Sequence, residues 1–150
     1  MIPKHRAWHK QRKIMLPVLE INLDPEHGGV FVEGKDGHYC DCRLYMELWH
    51  WSNIELMQFT GLQDCTGKDI YEGDLVHTNN DEEENEQEES EPEEDHYHGV
   101  VTYNPEKAWY YIKQPDSSYT PTLCNTTIVS IEVIGNIYEN SNLLPQEQQS

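Results

Sequence analysis

Three glycines spaced six residues apart, Gly61, Gly67 and Gly73, punctuate the stretch from Leu56 to Val76 and constrain the fold more than any other part of the chain. A strand-like run from Ile54 to Phe59 meets Thr60-Gly61. A turn-forming Asp64-Cys65-Thr66-Gly67 follows, and Tyr71-Glu72-Gly73-Asp74 feeds a second strand at Leu75. A chain that reverses so often in a short span wants backbone freedom at positive φ, which glycine supplies without steric cost. The stretch therefore specifies a compact β corner. Gly61 and Gly73 are expected at angles that a Cβ resists, and Phe59, Leu62, Ile70, Tyr71 and Val76 are expected to share one core. Asp64 opens a turn and Asp74 follows a glycine into a strand, positions where a carboxylate caps backbone amides. Those duties account for both acids without chemistry, so neither is assigned a catalytic role.

Periodicity places the remaining elements. Ile14, Leu16 and Val18 alternate along a strand that Pro17 confines to an edge or a bulge. Val30-Phe31-Val32 follows a turn at Pro25 to Gly29. Leu44 to Trp51 fits a strand and a short helical face equally well, and both readings stay open. Leu75-Val76 and Val100 to Tyr103 read as hairpin partners. Trp109 to Ile112 returns after a turn at Asn104 to Lys107, and Ile131, Val133, Gly135 and Ile137 keep a clean two-residue period. Four tryptophans and nine tyrosines suit such strands. Short strands at this spacing predict an all-β chain built on a small barrel. The expected division is an N-terminal β unit over 1–53, a barrel over 54–145 and a polar tail over 146–150.

The net charge of −18 is unevenly spread. Residues 81–95 hold eleven acids and no base, leaving 17 acids against 10 bases elsewhere. A like-charged run without aliphatic residues buries too little apolar surface to offset its ordering entropy. It reads as a solvated loop over 79–97, dispensable for folding. The first thirteen residues carry the opposite sign, with Lys4, Arg6, Lys10, Arg12 and Lys13 and no acid. Those five with Trp8 form a candidate nucleic-acid contact set, the ring serving as a stacking platform. Against it, Arg6-Ala7-Trp8 reads as a first strand whose Trp enters the core, and a net acidic chain is poorly suited to phosphate neutralisation. The arm and the tract together also give copies of the chain a means of pairing as a homo-oligomer.

Other function classes find less support. No apolar run reaches membrane-spanning length, and the basic start lacks an apolar segment behind it, which argues against a secretory signal and for the cytoplasm. Four cysteines in that setting read as reduced thiols. His38, Cys40 and Cys42 put three metal-ligating types at alternate positions, but zinc sites favour wider gaps and a second pair, and Cys65 and Cys124 are solitary. His96 and His98 lie beside the acids and read as solvent-facing. Phosphate loop, nucleophile elbow and paired-histidine helix are all missing. No catalytic, cofactor or metal residue is assigned, and the chain reads as a non-enzyme with an unknown protein partner.

Several motifs recur in a recognisable order. Lys4-His5-Arg6-Ala7-Trp8-His9 resembles the start of YopX-like proteins, with His5 where an aromatic is usual and His9 where Asp is usual. Phe59-Thr60-Gly61-Leu62, Asp64, Gly67 and Ile70-Tyr71-Glu72-Gly73-Asp74 resemble that family's central block. Gly135-Asn136-Ile137-Tyr138 resembles its close, with Ser141-Asn142 where Pro-Glu is common. The resemblance implies a phage or prophage protein in a bacterial host. It implies an SH3-like barrel with an N-terminal β extension and a long acidic loop, and no established biochemical activity. It also marks Trp8, Phe59, Thr60, Gly61, Leu62, Asp64, Gly67, Ile70, Tyr71, Gly73, Asp74, Gly135 and Tyr138 as a structural signature.

Overall fold

A computed structural model describes residues 4–39, 45–78, 99–115, 121–124 and 131–144 of the chain. The acidic tract, Cys40, Cys42, His96 and His98, and the tail from residue 146 lie outside the described residues. The described residues form ten strands: β1 (His5–His9), β2 (Ile14–Asn22), β3 (Gly29–Tyr39), β4 (Tyr45–His50), β5 (Ile54–Gln63), β6 (Asp69–Tyr71), β7 (Asp74–Thr78), β8 (Gly99–Asn104), β9 (Trp109–Lys113) and β10 (Ile131–Asn136). The described residues contain no α-helix, and the chain is all-β. The ambiguous stretch before Trp51 is strand β4, followed by a single 3-10 turn over Trp51–Asn53. The strand pairs β1–β2, β1–β5, β2–β3, β3–β4, β7–β8, β7–β10 and β8–β9 are antiparallel, and neither sheet closes into a barrel among the described residues.

The chain divides into two compact units, Met1–Phe59 and Thr60–Ser150, and the division falls inside β5. In the first unit the strands run β4-β3-β2-β1-β5. The long β2 is shared: residues up to Pro17 face β1, and those from Val18 face β3, with a register shift between Val18 and Glu20. Pro17 was expected at an edge or a bulge. It sits in an interior strand beside that bulge, where the ladder changes partner and a missing N–H is tolerated. Period-two alternation turns Ala7, Leu16, Val18, Val30, Val32, Trp49, Ile54 and Leu56 onto one face, and these form the unit's own core. Trp8 is also buried, at 5% exposure, on the opposite face from Ala7. The first unit is thus five strands around a core of its own.

In the second unit the order is β10-β7-β8-β9. Residues 121–124 then lie against the outer side of β9. Ile112 N donates to Pro121 O at 2.9 Å, Leu123 N donates to Tyr110 O at 2.9 Å, and Tyr111 bridges Thr122. Counted from β7, the four-stranded sheet repeats part of the first unit's order: β10 pairs with β7, β7 with β8 and β8 with β9, as β5 pairs with β1, β1 with β2 and β2 with β3, while β6 pairs with β5. The core of the second unit draws on Ile70, Val76, Val101, Ile112, Leu123, Ile131 and Val133, with Leu62 and Tyr110 packed against it. Of the five residues expected to share a core, Ile70, Val76 and Leu62 do. Phe59 falls in the first unit under the Lys4 ammonium, and Tyr71 is half-buried outside the cluster.

Gly61, Gly67 and Gly73 have φ of 89°, 86° and 82°, the left-handed region. Gly73 is the most constrained of them. It is buried in the turn from β6 to β7, its N–H donates to Val101 O at 2.8 Å, and its carbonyl accepts from Ile137 N at 3.0 Å. Both bonds fix the peptide, so a side chain there cannot relax by rotating the backbone. Gly73→Val is expected to cost at least about 2 kcal/mol in chemical denaturation, since a β-branched residue at positive φ is strained by that order.

Candidate interaction surface

The signature residues build a hydrogen-bonded corner, and Asp64 is its centre. It is buried at 6% exposure. Its Oδ1 accepts from Thr66 N at 2.8 Å, Thr66 Oγ1 at 2.7 Å and Lys68 N at 2.9 Å, and its Oδ2 accepts from Val133 N at 2.8 Å. Burial pushes the carboxyl up, but the bonds from Val133, Thr66 and Lys68 outweigh it and hold the pKa below the usual 3.8. A carboxylate with its oxygens consumed and its pKa depressed is a poor proton acceptor for a substrate. Asp74 is fully buried and its Oδ2 accepts from Tyr71 N at 2.8 Å. Thr60 Oγ1 donates to Ile70 O at 2.9 Å, locking β5 to β6.

At the far end of the chain, Asn136 Oδ1 accepts from Tyr138 N and Glu139 N at 3.0 Å each, and Asn136 N donates to Asn140 Oδ1 at 3.1 Å. Gly135 lies under Asn140: an added Cβ would meet Asn140 Oδ1 at 2.3 Å, which explains the glycine. Sequence reasoning passed over Asn136 and Asn140. An asparagine two or three residues before the amides it caps is the signal that marks such a turn.

The basic arm is spread over β1 and its turn, and its groups are engaged inside the first unit. Lys4 Nζ sits 5.1 Å from the centre of the Phe59 ring, and Arg6 Nε donates to Met57 Sδ at 3.4 Å. Lys10 pairs with Glu55 at 2.9 Å, and Arg12 Nη1 donates to Glu47 at 2.9 Å. Lys13 ends the turn with φ of 56°. Trp8 is buried, so its ring is not offered to a nucleobase. Trp49 is buried too, at 2% exposure, with the His9 ring edge-on at 4.9 Å.

Among the described residues, the large hydrophobics left exposed are Ile14, Leu19, Leu23, Tyr103 and Trp109. Ile14, Leu19 and Leu23 lie on β2 or in the turn after it, and Tyr103 and Trp109 lie on the β8–β9 hairpin. In the second unit this hairpin is well specified. Asn104 Oδ1 accepts from Glu106 N at 3.0 Å and Lys107 N at 3.2 Å, and Ala108 closes the turn at φ of 54°. Trp109 is 42% exposed with Lys107 Nζ 5.1 Å from its ring centre. Tyr103 faces Tyr110 across the ladder with ring centres 5.1 Å apart. The sequence marks this turn, but it does not distinguish an exposed Trp109 from a buried Trp49.

A family model described as YopX protein matches residues 4–145 of the chain. No curated protein matches it. Among solved structures, the crystal structure of protein EF1440 from Enterococcus faecalis aligns over 97% of this chain and 99% of its own, at 22% identity and a TM-score of 0.56. At that identity the likeness speaks to fold alone. No helix among the described residues is long and apolar enough to cross a membrane.

Proposed function

The chain belongs to the YopX family, and we propose that it is a phage-derived, non-enzymatic interaction or structural protein that works in a bacterial cytoplasm. The observation that carries this reading is a division of labour. The polar groups of the signature, Asp64 and Asp74 above all, are buried and committed to backbone amides, while exposed apolar surface gathers on one hairpin in each unit. Buried, fully bonded carboxylates stabilise a fold. Exposed aromatic and aliphatic side chains on a rigid hairpin suit recognition of a partner. The all-β, antiparallel build of the chain suits an SH3-like reading, a fold that hosts many binding functions. A nucleic-acid role through the arm loses its platform, because Trp8 is buried and Lys10 and Arg12 are paired.

Affinity capture from phage-infected cells tests the reading. A protein retained by the wild-type chain and lost from a Leu23→Ser/Trp109→Ala variant that still folds supports it. Retention that ignores both hairpins, or turnover of a substrate abolished by Asp64→Asn without loss of folding, overturns it.

A further inference from the structure

Trp109 is anomalous among the tryptophans whose burial is set out above. Trp8 and Trp49 are buried, whereas Trp109 opens β9 with two-fifths of its surface in solvent. Its ring is not bare. The Lys107 ammonium stands 5.1 Å from its centre, inside the range where a cation is drawn to the electron-rich face, and Trp is the strongest such ring.

We propose that the Trp109 face is a receptor for the guanidinium or ammonium of a basic protein segment, with Lys107 as its built-in occupant. This deepens the interaction reading above and rests on it. Lys107 is exposed and only two residues from the ring, so its hold is a local surface contact that a better-placed cation displaces. A guanidinium is the stronger competitor, being planar, weakly hydrated and able to stack on the indole. Charge selects the same partner. Leaving aside residues 81–95, the chain still holds 17 acids against 10 bases, and Glu106 lies in the ring's own hairpin turn, so a cationic segment is favoured over a nucleic-acid phosphate backbone. Tyr103, 38% exposed on the same hairpin, extends the apolar surface available to the segment's methylenes.

The test uses the full-length chain and a fluorescein-labelled arginine-rich decapeptide, followed by anisotropy at fixed ionic strength, with a labelled ten-base oligothymidylate in parallel. Trp109→Ala is expected to weaken peptide binding by at least about threefold, the scale of an exposed cation–ring contact. Lys107→Ala removes the resident cation and is expected to tighten it by about twofold, despite deleting no acid and adding no contact. Thermal melts of both variants should superimpose on wild type, because both side chains are exposed. Equal peptide affinity in Trp109→Ala, weaker binding in Lys107→Ala, or oligothymidylate held through Trp109 more tightly than the peptide would each overturn the proposal. If the hairpin variant loses its captured protein while the peptide ignores Trp109, this inference fails and the interaction reading survives.

Discussion

Asp64→Asn is expected to destabilise the second unit by about 3 kcal/mol or more at neutral pH, seen as an early loss of that unit's amide protection and melting. The carboxylate accepts four hydrogen bonds, and the one from Val133 N joins residues 69 apart in sequence. An amide nitrogen in place of either oxygen turns an acceptor into a donor that faces N–H groups. A buried donor left unpaired costs about 1–3 kcal/mol, and bonds to a charged acceptor contribute toward the top of that range. Alanine, which removes both oxygens, should cost more still.

The same site gives a pH signature. The folded Asp64 pKa lies below 3.8, so the unfolded chain takes up the proton first on acidification. The stabilisation is complete above about pH 4 and is lost as pH falls through the folded pKa. The stability gap between wild type and Asp64→Asn should therefore narrow below pH 3.8. His9 makes the first unit sensitive earlier. Burial, then the nearby Arg12 guanidinium, hold its pKa below 6.5, with Glu47 pulling the other way, and its Nδ1 accepts from Arg12 N at 3.2 Å. Protonation removes that acceptor, so the first unit should begin to weaken as pH falls below 6.5 while the second stays intact.

Trp49→Ala carries the other large effect. The indole is 2% exposed and lies within the first unit's core with Val30, Val32 and Ile54. Truncating a buried Trp costs about 3–5 kcal/mol through lost transfer energy and the cavity left behind. A small five-stranded unit has little reserve against such a loss. Loss of amide protection confined to β1 through the first part of β5, with β7 to β10 still protected, is the expected outcome of hydrogen exchange. Uniform loss in both units would show that they unfold as one.

Much of the fold was legible because it rests on period two and on turn chemistry, both local. β2 and β10 follow apolar alternation, β8 and β9 are short β-branched and aromatic runs on either side of a marked turn, and Gly67 and Gly73 take positive φ in their turns while Gly61 takes it inside β5. What was not legible depends on pairing across the chain. Pro17 marked a bulge, but only the partner change from β1 to β3 shows why it is tolerated in an interior strand. Leu44 to Trp51 satisfied both periods, and tertiary pairing of β4 with β3 decided for strand. The signature acids were readable as structural from their turn positions, yet the bond from Val133 to Asp64 has no local trace. Exposure was only partly legible: Trp8 reads as a core residue from its strand, but Trp49 and Trp109 look alike in sequence, and only packing separates the buried ring from the exposed one.

A side-by-side comparison of Asp64→Asn and Trp109→Ala most directly tests whether the signature builds the fold while a hairpin recognises the partner. Each variant is melted thermally and then used to capture protein from phage-infected cells. The expected result is a double dissociation. Asp64→Asn melts several degrees lower but, held well below its transition, retains the captured protein. Trp109→Ala melts with the wild type and loses it. A Trp109→Ala chain that captures as wild type does, or an Asp64→Asn chain that melts unchanged and loses the partner, would contradict the account.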